Sequence, residues 1–226
     1  MTKKLVTYLA GPIEDVEDSG SGWRDRLTPQ LIEIFGSRLM IQDPTKNEGA
    51  KIGLEDEIIS ISEAKRRLNG WKNSGHYDKF DQAVKCIIDT DISMIRACDF
   101  IIAFLKFRTS KEKVIMGGTI GELQHAYDHN IRIYSVCYDN IADMNCWVLG
   151  LTRSKGNQLF KSFNQLLEAL KTDYKDYILT EAERKKFQSL RESEKTVVQL
   201  QEQIRNLQDS LNQKLADLNK LKGELC

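Results

Sequence analysis

Asp99-Phe100-Ile101-Ile102-Ala103-Phe104-Leu105, followed across a polar loop by Gly117-Gly118-Thr119-Ile120-Gly121-Glu122-Leu123-Gln124-His125-Ala126, is the stretch that decides the fold. The unbroken apolar run Phe100–Leu105 predicts a strand covered on both faces. Residues from Gly118 to His129 read as a helix, and Ile131–Val136 as the next strand. A strand, a helix and a strand in that order form a crossover unit, which joins parallel neighbours in a sheet. Within the helix, Thr119 and Glu122 stand three residues apart, as in a capping box. Gly117 and Gly118 let the backbone come close to a ligand where the first helical N–H groups are free. Glu122 therefore has two readings: a cap for its own helix, or a carboxylate presented to something bound at the strand edge.

Working outward, the same alternation continues. Lys4–Ala10 is a first strand, broken by Gly11-Pro12. Gly22–Phe35 is an amphipathic helix with Trp23, Leu27, Leu31, Ile32 and Ile34 broadly on one side. Leu39–Ile41 is a short strand stopped by Asp43-Pro44. Glu55–Arg67 and Tyr77–Ile95 read as helices, the second with Phe80, Val84, Ile87, Ile88 and Ile95 turned inward. The expected fold class is α/β, a doubly wound parallel sheet flanked by helices of the Rossmann or flavodoxin-like kind. Ligands of such sheets lie beyond the carboxyl ends of the strands. Here those ends carry Gly11-Pro12, Asp43-Pro44, the Lys106–Gly118 loop and the residues after Tyr138.

With 226 residues, 41% of them hydrophobic, the chain can bury one core and still spare a tail. Its formal net charge is zero, so neither nucleic acid nor an anionic membrane is an expected partner. No apolar run approaches the roughly 20 residues that cross a bilayer. The N-terminus reads as a strand rather than a signal peptide. Five cysteines, odd in number and without Cys-x-x-Cys spacing, point to reduced thiols and a cytoplasmic protein. His125 and His129 have helical i, i+4 spacing, but only three histidines exist, and no metal or other cofactor is expected. Gly117-Gly118-Thr119 lacks the Lys-Ser/Thr of a nucleotide-triphosphate loop.

Five short motifs occur in order: Tyr8-Leu9-Ala10-Gly11-Pro12-Ile13, Trp23-Arg24, Asp43-Pro44, Asp91-Ile92-x-x-Ile95-x-x-x-Asp99, and Gly118-Thr119-x-x-Glu122-x-x-x-Ala126. Together they resemble the nucleoside 2-deoxyribosyltransferase family and its nucleotide N-glycosidase relatives, over roughly Lys4 to Leu170. The resemblance implies a domain over about 1–175, with an insertion at about 47–78. It implies that Glu122 is the nucleophile that attacks the anomeric carbon of a nucleoside or nucleotide. It implies that Asp91 lies near the base and helps to protonate it, with a pKa raised by burial beside a second carboxylate. Tyr8 and Gly11 take positions that line the sugar pocket, and Trp23 that of an aromatic beside the base. Pro12, Asp43, Gly118 and Thr119 belong to the motifs around the same pocket. Asn145 is a candidate for completing the site of a neighbouring subunit. The residue-level alternatives are plain: Asp43 as a turn former, Trp23 as core, Asp89 as a competitor of Asp91.

Two departures from the family stand out, the insertion at about 47–78 and the segment before Gly117. Met116 takes the place of an aspartate six residues before the nucleophile, beside a loop carrying Arg108, Thr109, Ser110 and Lys111. That composition suits a 5′-phosphate better than a free hydroxyl. The activity therefore reads as transfer or cleavage of a (deoxy)nucleoside N-glycosidic bond. Alternatives are hydrolysis of a nucleoside 5′-monophosphate, cleavage of a dinucleotide, or a nucleotide-binding sensor without catalysis. From 180 to 226 the composition changes to Glu, Lys, Gln and Leu. Leu190, Val197, Ile204, Leu211, Leu218 and Leu225 take position a of a heptad, and Leu200, Leu207 and Leu221 position d, with Ser193 and Lys214 as polar exceptions. This predicts a C-terminal α-helical coiled coil, an oligomerisation or docking device expected to join copies into a homo-oligomer; the alternative is a single amphipathic helix folded back on its own domain.

Overall fold

The computed structural model describes residues 3–13, 18, 20–46, 51–54, 57–107 and 116–224, without the side chains of 191 and 215–224. The chain divides into two compact units, Met1–Ile178 and Leu179–Cys226. In the first, five strands form one sheet: β1 (Leu5–Ala10), β2 (Leu39–Gln42), β3 (Phe100–Leu105), β4 (Arg132–Cys137) and β5 (Gln158–Phe160). The order is β2-β1-β3-β4-β5 and every pairing is parallel. This is the flavodoxin-like order, whose switch point falls between β1 and β3.

The helices are α1 (Ser21–Phe35), α2 (Ile61–Asn73), α3 (Tyr77–Arg96), α4 (Gly117–Asp128), α5 (Cys146–Arg153) and α6 (Phe163–Asp173). Strand parity sorts the core into two layers. Leu5 and Leu9 of β1, Phe100 and Ile102 of β3, and Tyr134 and Val136 of β4 pack with Trp23, Leu27, Leu31, Leu166 and Leu170. Their alternates Tyr8, Ala10, Ile101, Ala103, Leu105 and Ile133 pack with Ile95, Leu123, Ala126, Val148 and Leu151. Tyr8 therefore faces the layer that contains α4, which is what brings it to Glu122.

Several boundaries differ from the sequence reading. The helix expected over Glu55–Arg67 runs Ile61–Asn73 instead, because Ser60 caps it by accepting from the Glu63 N–H; Glu55 and Asp56 lie outside the described residues. On α3, Ile88 is half exposed rather than inward, one residue around the helix from Ile87. The strand β5 and the helix α5 extend the sheet beyond the expected elements. Strand β5 has three residues, too few to show an alternation. The capping box expected at Thr119 and Glu122 is absent: α4 starts two residues earlier, with Met116 as its N-cap and no side-chain cap bond. A capping box does form at Thr180 and Glu183, where Thr180 Oγ1 accepts from the Glu183 N–H at 3.3 Å and Glu183 Oε2 accepts from the Thr180 N–H at 2.8 Å. It opens the second unit's helix, α7 (Glu181–Glu224).

One buried charge organises the end of β1. Arg24 of α1 has a fully buried side chain. It donates from Nη2 to the carbonyls of Leu9 (3.0 Å) and Gly11 (3.2 Å) and from Nη1 to that of Gly20 (2.6 Å). Gly20 has a φ of 76° and sits so close that a Cβ there would meet the Pro12 carbonyl oxygen at 2.4 Å. Replacing Arg24 with Leu strands these carbonyls and Asp43, whose Oδ1 lies 3.5 Å from Nε. The expected result in urea denaturation is a loss of about 3–5 kcal/mol, the scale for breaking a buried ionic network.

Candidate active site

A cavity of about 280 Å³ opens beyond the carboxyl ends of β1 and β3. Gly11, Pro12, Asp91, Gly118, Thr119 and Glu122 all line it, and so do Pro44, Lys51 and Met116. Opposite them stands an apolar wall of Ile61, Ala64, Leu68 and Ile87. Three of those four come from α2, so the insertion at 47–78 builds one side of the cavity. A β-carbon added to Gly117 or Gly118 would meet nothing within 4 Å, so the start of α4 is bare backbone facing open space.

Glu122 sits in the second turn of α4. Its Oε1 accepts a 2.6 Å hydrogen bond from the Tyr8 hydroxyl. Its Oε2 is out of solvent contact and has no partner among the described residues. Burial disfavours the charged carboxylate and is the largest influence on its pKa, which is raised to about 7. The Tyr8 hydrogen bond pulls the other way, Asp91 adds to the rise, and Arg24 and Lys51 oppose it. Tyr8 is itself held well above the ordinary phenol range, by burial first and then by the Glu122 charge. It is therefore a donor to the carboxylate and not a base.

Asp91, on α3, does not stand as an isolated acid. Its Oδ1 is 2.8 Å from the ammonium of Lys51, and that ammonium also donates to the Pro44 carbonyl at 2.6 Å. Lys65 of α2 donates to the carbonyl of Ile13 from the same wall.

The remaining residues singled out in the sequence lie elsewhere. Trp23 is core: it stacks on Phe163 with ring centroids 5.8 Å apart and borders a separate cavity of about 230 Å³ with Phe104 and Tyr138. A β-carbon added to Gly11, which lines the larger cavity, would meet the Trp23 ring at 2.9 Å. Asp43 accepts from the N–H and hydroxyl of Thr45, a turn, while leaning on Arg24. Asn145 caps α5 by accepting from the Trp147 N–H at 2.8 Å. Arg108 lies outside the described residues. His125 accepts from Arg96 and stacks on His129. No group of three or more His, Cys, Asp or Glu suited to a metal occurs among the described residues. No helix among them is long and apolar enough to cross a membrane.

No protein-family model and no curated protein matches the chain. Among solved structures it is similar to the crystal structure of a conserved protein from Enterococcus faecalis V583. The identity is 18%, the TM-score 0.49, and the match covers 75% of this chain and 99% of that one. The cavity's own chemistry is what speaks to function.

The raised pKa of Glu122 has a stability consequence. Below about pH 4.5, the ordinary value, the group is protonated in both the folded and unfolded states, and its contribution is fully present. As pH rises to about 7, the unfolded chain releases the proton first, and folding stability falls. The loss is of the order of 3 kcal/mol. Glu122→Gln removes the titration, so its denaturation free energy should be flatter across that window and exceed the wild type's above pH 7. Parallel slopes for the two proteins would show that Glu122 is not the buried acid.

Proposed function

We propose that the chain is an enzyme that cleaves or transfers the N-glycosidic bond of a (deoxy)nucleoside through a glutamate nucleophile. This is the chemistry of the nucleoside 2-deoxyribosyltransferase family and its N-glycosidase relatives. The observation that carries the reading is the Glu122 carboxylate, on a residue that lines the cavity at the strand ends: Tyr8 orients it through one oxygen, and the other, out of solvent contact, has no hydrogen-bond partner among the described residues. Breaking a glycosidic bond passes through an oxocarbenium-like state, which a nearby carboxylate stabilises and can capture covalently. Such a carboxylate is poor company for a neutral ground state and good company for a developing cation. That difference is what accelerates a reaction. The five ordered sequence motifs support the same reading. A sensor that only bound a nucleotide would gain little from an unpaired carboxylate there.

A second reading, cleavage of a nucleoside 5′-monophosphate, is favoured by the start of α4, where the backbone of Gly117, Gly118 and Thr119 lines the cavity. Free N–H groups at a helix start suit a phosphate. Nucleosides and their 5′-monophosphates, incubated with and without a free acceptor base, separate these outcomes by chromatography of the products. Glu122→Ala should lower turnover by at least ~10³-fold in a folded protein. Attack requires the carboxylate, so kcat/KM should fall as pH drops through about 7. Wild-type turnover by folded Glu122→Ala would overturn the mechanism.

The second unit supports assembly of copies through a coiled coil. Helix α7 has 44 residues, about 66 Å of helix at 1.5 Å per residue. Leu190, Val197, Ile204 and Leu211 recur every seven residues, with Leu200 and Leu207 at position d, and all six are more than half exposed. A narrow apolar seam on an otherwise polar helix is stabilised by a like helix, and Leu at d beside Val and Ile at a favours two strands. Leu218, Leu221 and Leu225 lie outside the described side chains. Removing residues 181–226 should reduce the number of chains per particle measured by light scattering while the circular-dichroism melt of the α/β unit persists. An unchanged number of chains per particle would refute assembly through α7.

A further inference from the structure

Lys51 is a charged group of the cavity that the five motifs leave out. It comes from the insertion, its side chain is 4% exposed, and it lines the same cavity as Glu122 and Asp91. Burying an ammonium is costly unless its donors are met. Two of its three N–H groups are committed, one to Asp91 Oδ1 at 2.8 Å and one to the Pro44 carbonyl at 2.6 Å. The third has no acceptor among the described residues. Asp91 Oδ2 likewise takes no hydrogen bond from them. The pair therefore offers the cavity one donor beside one acceptor. The apolar wall of Ile61, Leu68 and Ile87 lines the same cavity and suits the face of a flat ring.

We propose that Lys51 is a catalytic residue on the leaving-group side, donating a hydrogen bond to the departing base while Asp91 accepts one from it. This rests on the N-glycosidic reading given above. As the C1′–N bond breaks, its electron pair passes to the base, and a Glu122 oxygen forms the new bond to C1′. Negative charge gathers on the ring and exocyclic acceptors of the base, where an ammonium N–H stabilises it. The base then takes its proton from water. In the next step water, or a second base, attacks C1′, the bond to Glu122 breaks and returns it as a carboxylate, and the attacking group's proton goes to the hydroxide left when the first base was protonated. In this arrangement Asp91 holds and orients the ammonium and reads a donor on the base. The cation and not the carboxylic acid meets the developing charge.

The dependence of rate on leaving-group acidity tests this. The substrates are deoxynucleosides of one ring type: 5-fluoro-, unsubstituted and 5-methyl-deoxyuridine if pyrimidines are cleaved, or the 2-fluoroadenine, adenine and 2,6-diaminopurine deoxynucleosides if purines are. For Lys51→Met, kcat should fall by about 10²–10³ on the least acidic base, the scale for loss of a donor aimed at developing charge. It should fall much less on the most acidic, with KM changing little. Lys51→Arg should recover most of the loss. An equal loss on every base, or none, in a folded variant would overturn the proposal while leaving the Glu122 mechanism standing. If Lys51→Met does not fold, Lys51→Gln, which keeps a neutral donor, is judged by the same slope. A wild-type protein that turns over no nucleoside or nucleotide would overturn both.

Discussion

The Arg24 guanidinium is the interaction on which the rest of the α/β unit depends. The chain leaves β1 through Gly11-Pro12, and Pro12 offers no N–H. Arg24 answers the carbonyls of Leu9 and Gly11 with one planar fork, anchors the start of its own helix at Gly20, and lies over the Trp23 ring with its carbon 4.6 Å from the centroid. It thereby fixes the direction in which the chain leaves the sheet, and Pro12 becomes part of the cavity wall. The same cation bears on the electrostatics of the site, because it is one of the charges that restrain the pKa of Glu122. The residue that shapes the cavity also tunes it. A lysine could not substitute, since a single ammonium lacks the fork that spans three carbonyls.

Glu122 stands where opposing influences nearly balance. Burial and the Asp91 charge favour its protonated form; the Tyr8 hydroxyl, Arg24 and Lys51 favour the anion. The outcome, about 7, leaves both forms populated near neutral pH. A neutral ligand that fills the cavity displaces water and pushes the balance further towards the acid. A ligand that develops positive charge beside the carboxylate reverses it. The site is thus poised to respond to charge on its occupant, which is the property that separates a transition state from a ground state in glycosidic cleavage. The Tyr8 phenol supplies orientation without competing for the proton.

How much of this was legible in the sequence depended on whether the signal was local. Strands β1, β3 and β4 and helix α3 were readable because apolar periodicity is local, and their limits came within a residue or two. Glu122, Asp91, Gly11, Pro12, Gly118 and Thr119 share one cavity because the order of the strands alone places those segments at one edge of the sheet. Parity along β1 put Tyr8 on the α4 side, and that too can be counted from the chain. The capping-box reading of Thr119 and Glu122 failed because spacing does not reveal where a helix starts; the same spacing at Thr180 and Glu183, not singled out in the sequence, forms one because Thr180 immediately precedes the helix. Arg24 was visible only as a letter beside Trp23, since nothing local marks an arginine as buried. Trp23 went to the opposite layer, against Phe104 and Phe163, by the position it takes on α1.

Lys51 shows the limit most sharply. It is 40 residues from its partner Asp91, in a segment whose flanks carry other charged residues, and no periodicity distinguishes it from them. What distinguishes it is a tertiary fact: α2 and α3 close over the carboxyl ends of the strands, with Ala64, Ala83 and Ile52 forming a small core of their own. Small residues at Ala64 and Ala83 pack against Ile52, the neighbour of the buried Lys51. The insertion is therefore a wall with its own packing and not an appendage to a finished sheet. Its apolar face and its one buried cation shape the side of the cavity away from the helix α4 backbone. Variation in such a wall would change what the cavity accepts without disturbing Glu122.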